Sequence, residues 1–158
     1  MTWFYRSFLY TINGDNMRKY YLFAIKSEYS ELYSKNPYIL YKTIENLYKL
    51  KKEDLVFGIS LYNQICNIIE VDRLRSYFNS ICKIKKNNKY LVRVRDDVAL
   101  FSIHYSCIIC KCNKNFPNIF NVMNYYNKYL FVCDFENKDY FFLTKRRINN
   151  NNNKYTYV

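Results

Sequence analysis

The sequence predicts an α+β fold: one small domain with a mostly antiparallel sheet and about three to four helices packed on it. Three observations lead there. The chain has 158 residues, half of them apolar, which is enough for a single core of ordinary size. Along it, short apolar runs suited to strands alternate with longer stretches at helical spacing. The last two strand-like runs flank the polar turn Glu136-Asn137-Lys138-Asp139, so they pair locally as a hairpin.

Three regions divide the chain. Residues 1–16 read as an N-terminal extension, because Met17 follows Gly14-Asp15-Asn16 and opens the apolar segment that begins the domain; Met17 is a candidate start of translation. Residues 17–148 read as the domain. Residues 149–158 carry the run Asn149–Asn153, which buries no apolar surface, so disorder is expected there.

Within the domain, Tyr20–Ile25 reads as a buried strand. Ser27 offers an N-cap to a short helix with Glu28 and Glu31 early in it. Asn36-Pro37 starts a second helix over 37–51, with Ile39, Leu40, Ile44, Leu47 and Leu50 at helical spacing. Glu53–Ile69 is ambiguous, since Leu55, Phe57, Ile59 and Leu61 alternate as in a strand with Gly58 inside. Asp72–Cys82 carries the stripe Leu74, Tyr77, Phe78 and Ile81 and reads as a helix. Lys85-Lys86-Asn87-Asn88 reads as a turn, and Tyr90–Arg95 and Ala99–Cys112 as strands. After Phe116-Pro117, residues 117–127 suit a helix with Ile119, Phe120, Met123 and Tyr126 inward. Tyr129–Phe135 and Tyr140–Leu143 are the strands of the closing hairpin.

Composition excludes some function classes. No apolar run is long enough to span a membrane, and Met1–Tyr10 lacks the layout of a secretory signal. Without such a signal, the six cysteines read as reduced thiols in a cytoplasmic protein. The net charge of +12 raises a basic nucleic-acid-binding module as the alternative function. The lysines are scattered, however, and no recognised reader motif accompanies them. Tyr, Asn, Lys, Ile and Phe are residues of A/T-rich codons, so codon bias also accounts for much of this charge.

Few groups could carry chemistry. The single histidine, His104, lies in an apparent strand with Ser102 and Ser106 on its face and Cys107 nearby, an arrangement that permits a Ser–His or Cys–His pair. No nucleophile elbow accompanies it. Cys107-Ile-Ile-Cys110-Lys-Cys112 has the spacing of a zinc knuckle but an extended, isoleucine-rich context and no second ligand pair. Asp96-Asp97 and Asp134 with Glu136 are the close carboxylates, and Asp134 sits where ordinary turn chemistry places an acid. Gly14 and Gly58 alone cannot build a phosphate loop. The chain is accordingly expected to be a binding protein and not an enzyme, with no cofactor and no metal.

What stands out is an aromatic surplus of 19 Tyr and 12 Phe. Exposed Tyr serves binding, because it contributes area at a low entropy cost and keeps a polar tip. Tyr29 and Tyr33 fall four apart and share one face of the first helix; spacing alone leaves open whether that face is core or contact surface.

Two blocks of sequence resemble a known family. Met17-Arg-Lys-Tyr-Tyr-Leu-Phe-Ala-Ile-Lys-Ser-Glu-Tyr-Ser-Glu-Leu-Tyr33 is similar to the opening of the SirA family, and Tyr129-Leu-Phe-Val-Cys-Asp-Phe-Glu-Asn-Lys-Asp-Tyr-Phe-Phe-Leu143 to its closing hairpin. The resemblance covers roughly residues 18–145, is good at both ends and poor across 50–100. SirA proteins are small inhibitors of replication made at the onset of sporulation in Gram-positive bacteria. They bind the N-terminal domain of the initiator DnaA. The resemblance implies the same partner here and no catalytic residue. It also implies a contact face with Tyr29 and Tyr33 as anchors, Lys26 and Glu28 on the rim, and a second contact at Thr144 and Lys145. There the chain departs from the family, which carries Asn-Pro at that point.

Overall fold

The computed structural model describes residues 17–82, 84–86, 89–94, 96–114, 117–127 and 129–144. The extension 1–16, the tail 149–158 and Lys145 lie outside these described residues. The expected α+β class is what the structure shows, with one mainly antiparallel sheet and helices on both of its faces.

The sheet is built around β1 (Arg18–Ile25). Its side chains alternate between two cores: Tyr20, Leu22 and Ala24 enter one, while Phe23 and Ile25 meet the other. Seven further strands follow: β2 (Cys66–Asn67), β3 (Ile84–Lys86), β4 (Lys89–Val94), β5 (Asp97–Ile103), β6 (Ile108–Cys112), β7 (Leu130–Asp134) and β8 (Asp139–Phe142). Their order is β3-β4-β5-β6-β1-β7-β8, every pair antiparallel, with β2 beside the last residues of β1. β7 is buried at all five positions, as expected of a strand covered on both faces.

The helices among the described residues are α1 (Ser27–Tyr33), α2 (Pro37–Tyr48), α3 (Leu55–Ile65), α4 (Val71–Ile81) and α5 (Ile119–Tyr126). α4 and α5 close the first core. Phe78 of α4 lies 5.3 Å from the Tyr90 ring and 5.1 Å from that of Phe101, and Phe120 and Met123 of α5 are fully buried. Each such side chain contributes roughly 2–3 kcal/mol by leaving water. α1, α2 and α3 lie on the other face, where Leu40, Tyr41, Ile44 and Ile65 pack with Phe131, Cys133 and Phe142. An aromatic seam fixes α2 on the closing hairpin: Tyr41 stacks on Tyr140 at 4.6 Å and Tyr48 on Phe135 at 4.5 Å. Much of the aromatic surplus is therefore structural.

Asp134 is part of the same scaffold. Arg18 donates to its Oδ2 from Nε at 2.9 Å and from Nη2 at 2.7 Å, and Asn137 donates to it from backbone and side chain. Burial opposes ionisation of Asp134, but these donors and the guanidinium charge outweigh it and hold its carboxyl below the usual range. The acid thus ties β1 to the β7–β8 turn, where Lys138 takes a positive φ of 55°.

One open reading is resolved and three need correction. The ambiguous stretch 53–69 is helical over Leu55–Ile65, because Gly58, Leu61 and Ile65 point inward at helical spacing and the Glu53–Asp54 acids precede its first turn. Lys85 and Lys86, read as part of a turn, belong to β3 and pair with Tyr90 and Lys89 of β4; Asn87 and Asn88 lie outside the described residues. The apolar run 99–112 is a hairpin broken at 104–107, so His104 and Ser106 lie in its exposed turn and not in a strand. Ser27 begins α1 instead of capping it; Lys26 holds the N-cap position without a side-chain cap bond.

Candidate functional site

α1 has no buried residue, yet it is anchored at its start. The Lys26 backbone N–H donates to the Ile65 carbonyl at 2.9 Å, which joins the first turn of α1 to the last turn of α3. This junction follows from the pairing of β2 with Ala24 and Ile25, which returns the chain to the end of β1 directly after α3.

Tyr29 and Tyr33 project from α1 on one face, their rings 6.4 Å apart and nearly parallel at 20°. Both are half-buried: one side packs against the core under α2, and the other remains open. Gln64 Nε2 donates to the Tyr29 hydroxyl at 2.9 Å and fixes that ring. Leu32, next to Tyr33, is 66% exposed. The face therefore offers two rings held side by side by partial packing, which reduces the ordering entropy that binding would cost. Gln64 is a site residue that the sequence did not reveal.

Lys26 and Glu28 flank this pair. Glu28 is exposed in the first turn of α1. Lys26 lines a polar cavity of about 510 Å³ with Asn67, Glu70, Arg73 and Tyr126. There Arg73 pairs with Glu70 at 2.9 Å, and the Tyr126 hydroxyl accepts the Glu70 backbone N–H. Thr144 enters through register. Phe142 lies opposite Phe131, and Phe131 opposite Phe23, so β8 runs parallel to β1 two strands away. Thr144, just past Phe142, emerges at the same end of the sheet as α1, at a lateral offset of about 10 Å. Phe142 is also in the core that Tyr29 and Tyr33 touch. The register thus brings the Tyr29–Tyr33 face and the exit of the closing hairpin to one end of the molecule.

The groups considered for catalysis are not assembled. His104 is exposed, and its backbone N–H closes the hairpin turn on the Cys107 carbonyl at 3.0 Å. The Ser106 carbonyl accepts the Tyr62 hydroxyl at 2.7 Å, and burial pushes the Cys107 thiol up. Cys110 and Cys112 share the buried face of β6, where the Cys112 Sγ donates to the Lys114 carbonyl at 3.0 Å. Among the described residues, no group of three or more His, Cys, Asp and Glu side chains could hold a metal ion. No described helix is long and apolar enough to cross a membrane.

Compared with protein-family models and with curated proteins, the chain matches none. The resemblance to the SirA family rests on the two blocks quoted above.

Proposed function

We propose that this chain is a non-enzymatic inhibitor of DNA replication initiation that binds the N-terminal domain of DnaA in the cytoplasm, at the onset of sporulation. The observation that carries the reading is the Tyr29–Tyr33 pair: two parallel rings, half-exposed, on a helix with no buried residue. The resemblance places the family's aromatic contact at these two positions. Support also comes from the register that sets Thr144 at the same end of the sheet. Inhibition would act by occlusion, with the rings as anchors and Lys26 and Glu28 on the rim. The net charge of +12 would speed encounter with an acidic partner more than it would strengthen the complex.

The test is induced expression in a growing cell that carries the cognate DnaA, read as the ratio of origin to terminus DNA. Expression of the parent lowers the ratio, and the Tyr29→Ala/Tyr33→Ala variant leaves it unchanged at equal protein level. A ratio that falls equally with both chains removes the tyrosines from the mechanism, and one that falls with neither removes the function.

A further inference from the structure

The helices do not close the second face of the sheet completely. Between α2 and α3 a groove of about 410 Å³ remains, floored by Tyr21 and Phe23 of β1 and walled by Tyr48 on one side and Leu55, Ile59 and Tyr62 on the other. That volume lies in the range of small-molecule sites, roughly 300–1,000 Å³. No residue lining it carries a charge. The hydroxyls in its walls are engaged with the protein: Tyr62 donates to the Ser106 carbonyl, and the Tyr21 and Tyr48 hydroxyls meet at 3.3 Å. What the groove presents is carbon, including Leu55 and Ile59, which are 49% and 58% exposed.

Charge stands at its edge. The Lys19 ammonium lies 5.1 Å from the centroid of the Tyr21 ring, and its field reaches Tyr48 and Cys107, which also line the groove. In the β1–β6 register Lys19 is directly opposite Lys111, so two ammonium groups share one face of neighbouring strands. Like charges in that position repel. Neither lysine forms an ion pair with a carboxylate among the described residues. Both are partly exposed, and an anion brought to this edge would meet two positive charges and relieve their repulsion.

We propose that this groove binds a single-chain amphipathic carboxylate of the fatty-acid type, its hydrocarbon between α2 and α3 and its carboxylate at Lys19 and Lys111. The lining favours this occupant over a peptide, whose backbone N–H and C=O groups would find their partners already taken. A bilayer surface is too flat to enter a concavity between two helices. The site is independent of the proposed DnaA contact: Gln64, which holds Tyr29, projects from the flank of α3 opposite Leu55, Ile59 and Tyr62.

The experiment titrates the full chain with cis-parinaric acid, a fluorescent polyene fatty acid, below its micellar concentration. Saturable emission is expected, displaced by oleate at least about tenfold more readily than by methyl oleate. Ile59→Asp, at an exposed position, abolishes the signal with an unchanged circular dichroism spectrum, as does Leu55→Asp. Lys19→Gln/Lys111→Gln retains hydrocarbon binding but loses the preference for acid over ester. The proposal is overturned by absent emission, by equal displacement by acid and ester, or by a signal that survives Ile59→Asp and Leu55→Asp. Sedimentation with phosphatidylglycerol vesicles in place of parinarate binding also overturns it, in favour of a lipid surface.

Discussion

Glu45 of α2 shows how much a single side chain can do. It is buried, accepts hydrogen bonds from Lys42 Nζ at 2.6 Å and the Tyr41 hydroxyl at 2.7 Å, and has Lys49 3.6 Å away. The Lys42 bond first, then the Tyr41 bond, hold its carboxyl at about 2, against an ordinary 4.5. A carboxyl whose value is lowered by folding stabilises the fold above its unfolded value, and that stability disappears as the pH falls through the folded one. Thermal unfolding between pH 4.5 and about 2 should therefore show a steeper fall of Tm in the parent than in Glu45→Gln. Parallel curves would mean that Glu45 ionises alike in both states. The same scale separates Tyr41, fully engaged in the core, from Tyr29 and Tyr33, whose spacing is equally helical. Spacing tells which residues share a face; it does not tell what covers that face, and here only the packing of α1 decides.

The legibility of each element follows its periodicity. β1, β7 and β8 alternate or run apolar between turn residues, and α2 carries Asn36-Pro37 at its start, so these were readable from the chain. α3 is not legible, because apolar residues are so dense from Leu55 to Leu61 that the alternation of Leu55, Phe57, Ile59 and Leu61 competes with the helical spacing. The β5–β6 hairpin hides its turn because Ser102, His104 and Ser106 continue the strand alternation through it, and β3 looks like a turn because lysines dominate it. Gln64 and the Lys19–Lys111 pair were unreadable on different grounds: both arise from strand pairing between segments distant in sequence. Gly58 lets α3 pack on the segment that follows α2, since a Cβ there would collide with the Leu50 side chain. That contact is with the end of a half-buried leucine beside an open groove, which has room to turn. Gly58→Ala should change unfolding free energy by less than about 1 kcal/mol, because the gain in helix propensity offsets the repacking of Leu50. A loss of more than about 2 kcal/mol in denaturant titration would show instead that Leu50 is locked in place.

For the molecule as a whole, the sheet and its two layers of helices leave three features facing outward: the tyrosine face at one end, the polar cavity beside Lys26, and the groove between α2 and α3. None of these depends on a catalytic group, and the central claim concerns the first. It is tested most directly by isothermal titration calorimetry of the full chain against the isolated DnaA N-terminal domain. The account predicts saturable binding that Tyr29→Ala/Tyr33→Ala weakens by at least about thirtyfold, the loss expected of a buried aromatic anchor, with the fold intact by circular dichroism. Absence of heat with the parent chain, or equal affinity for parent and double variant, would contradict it.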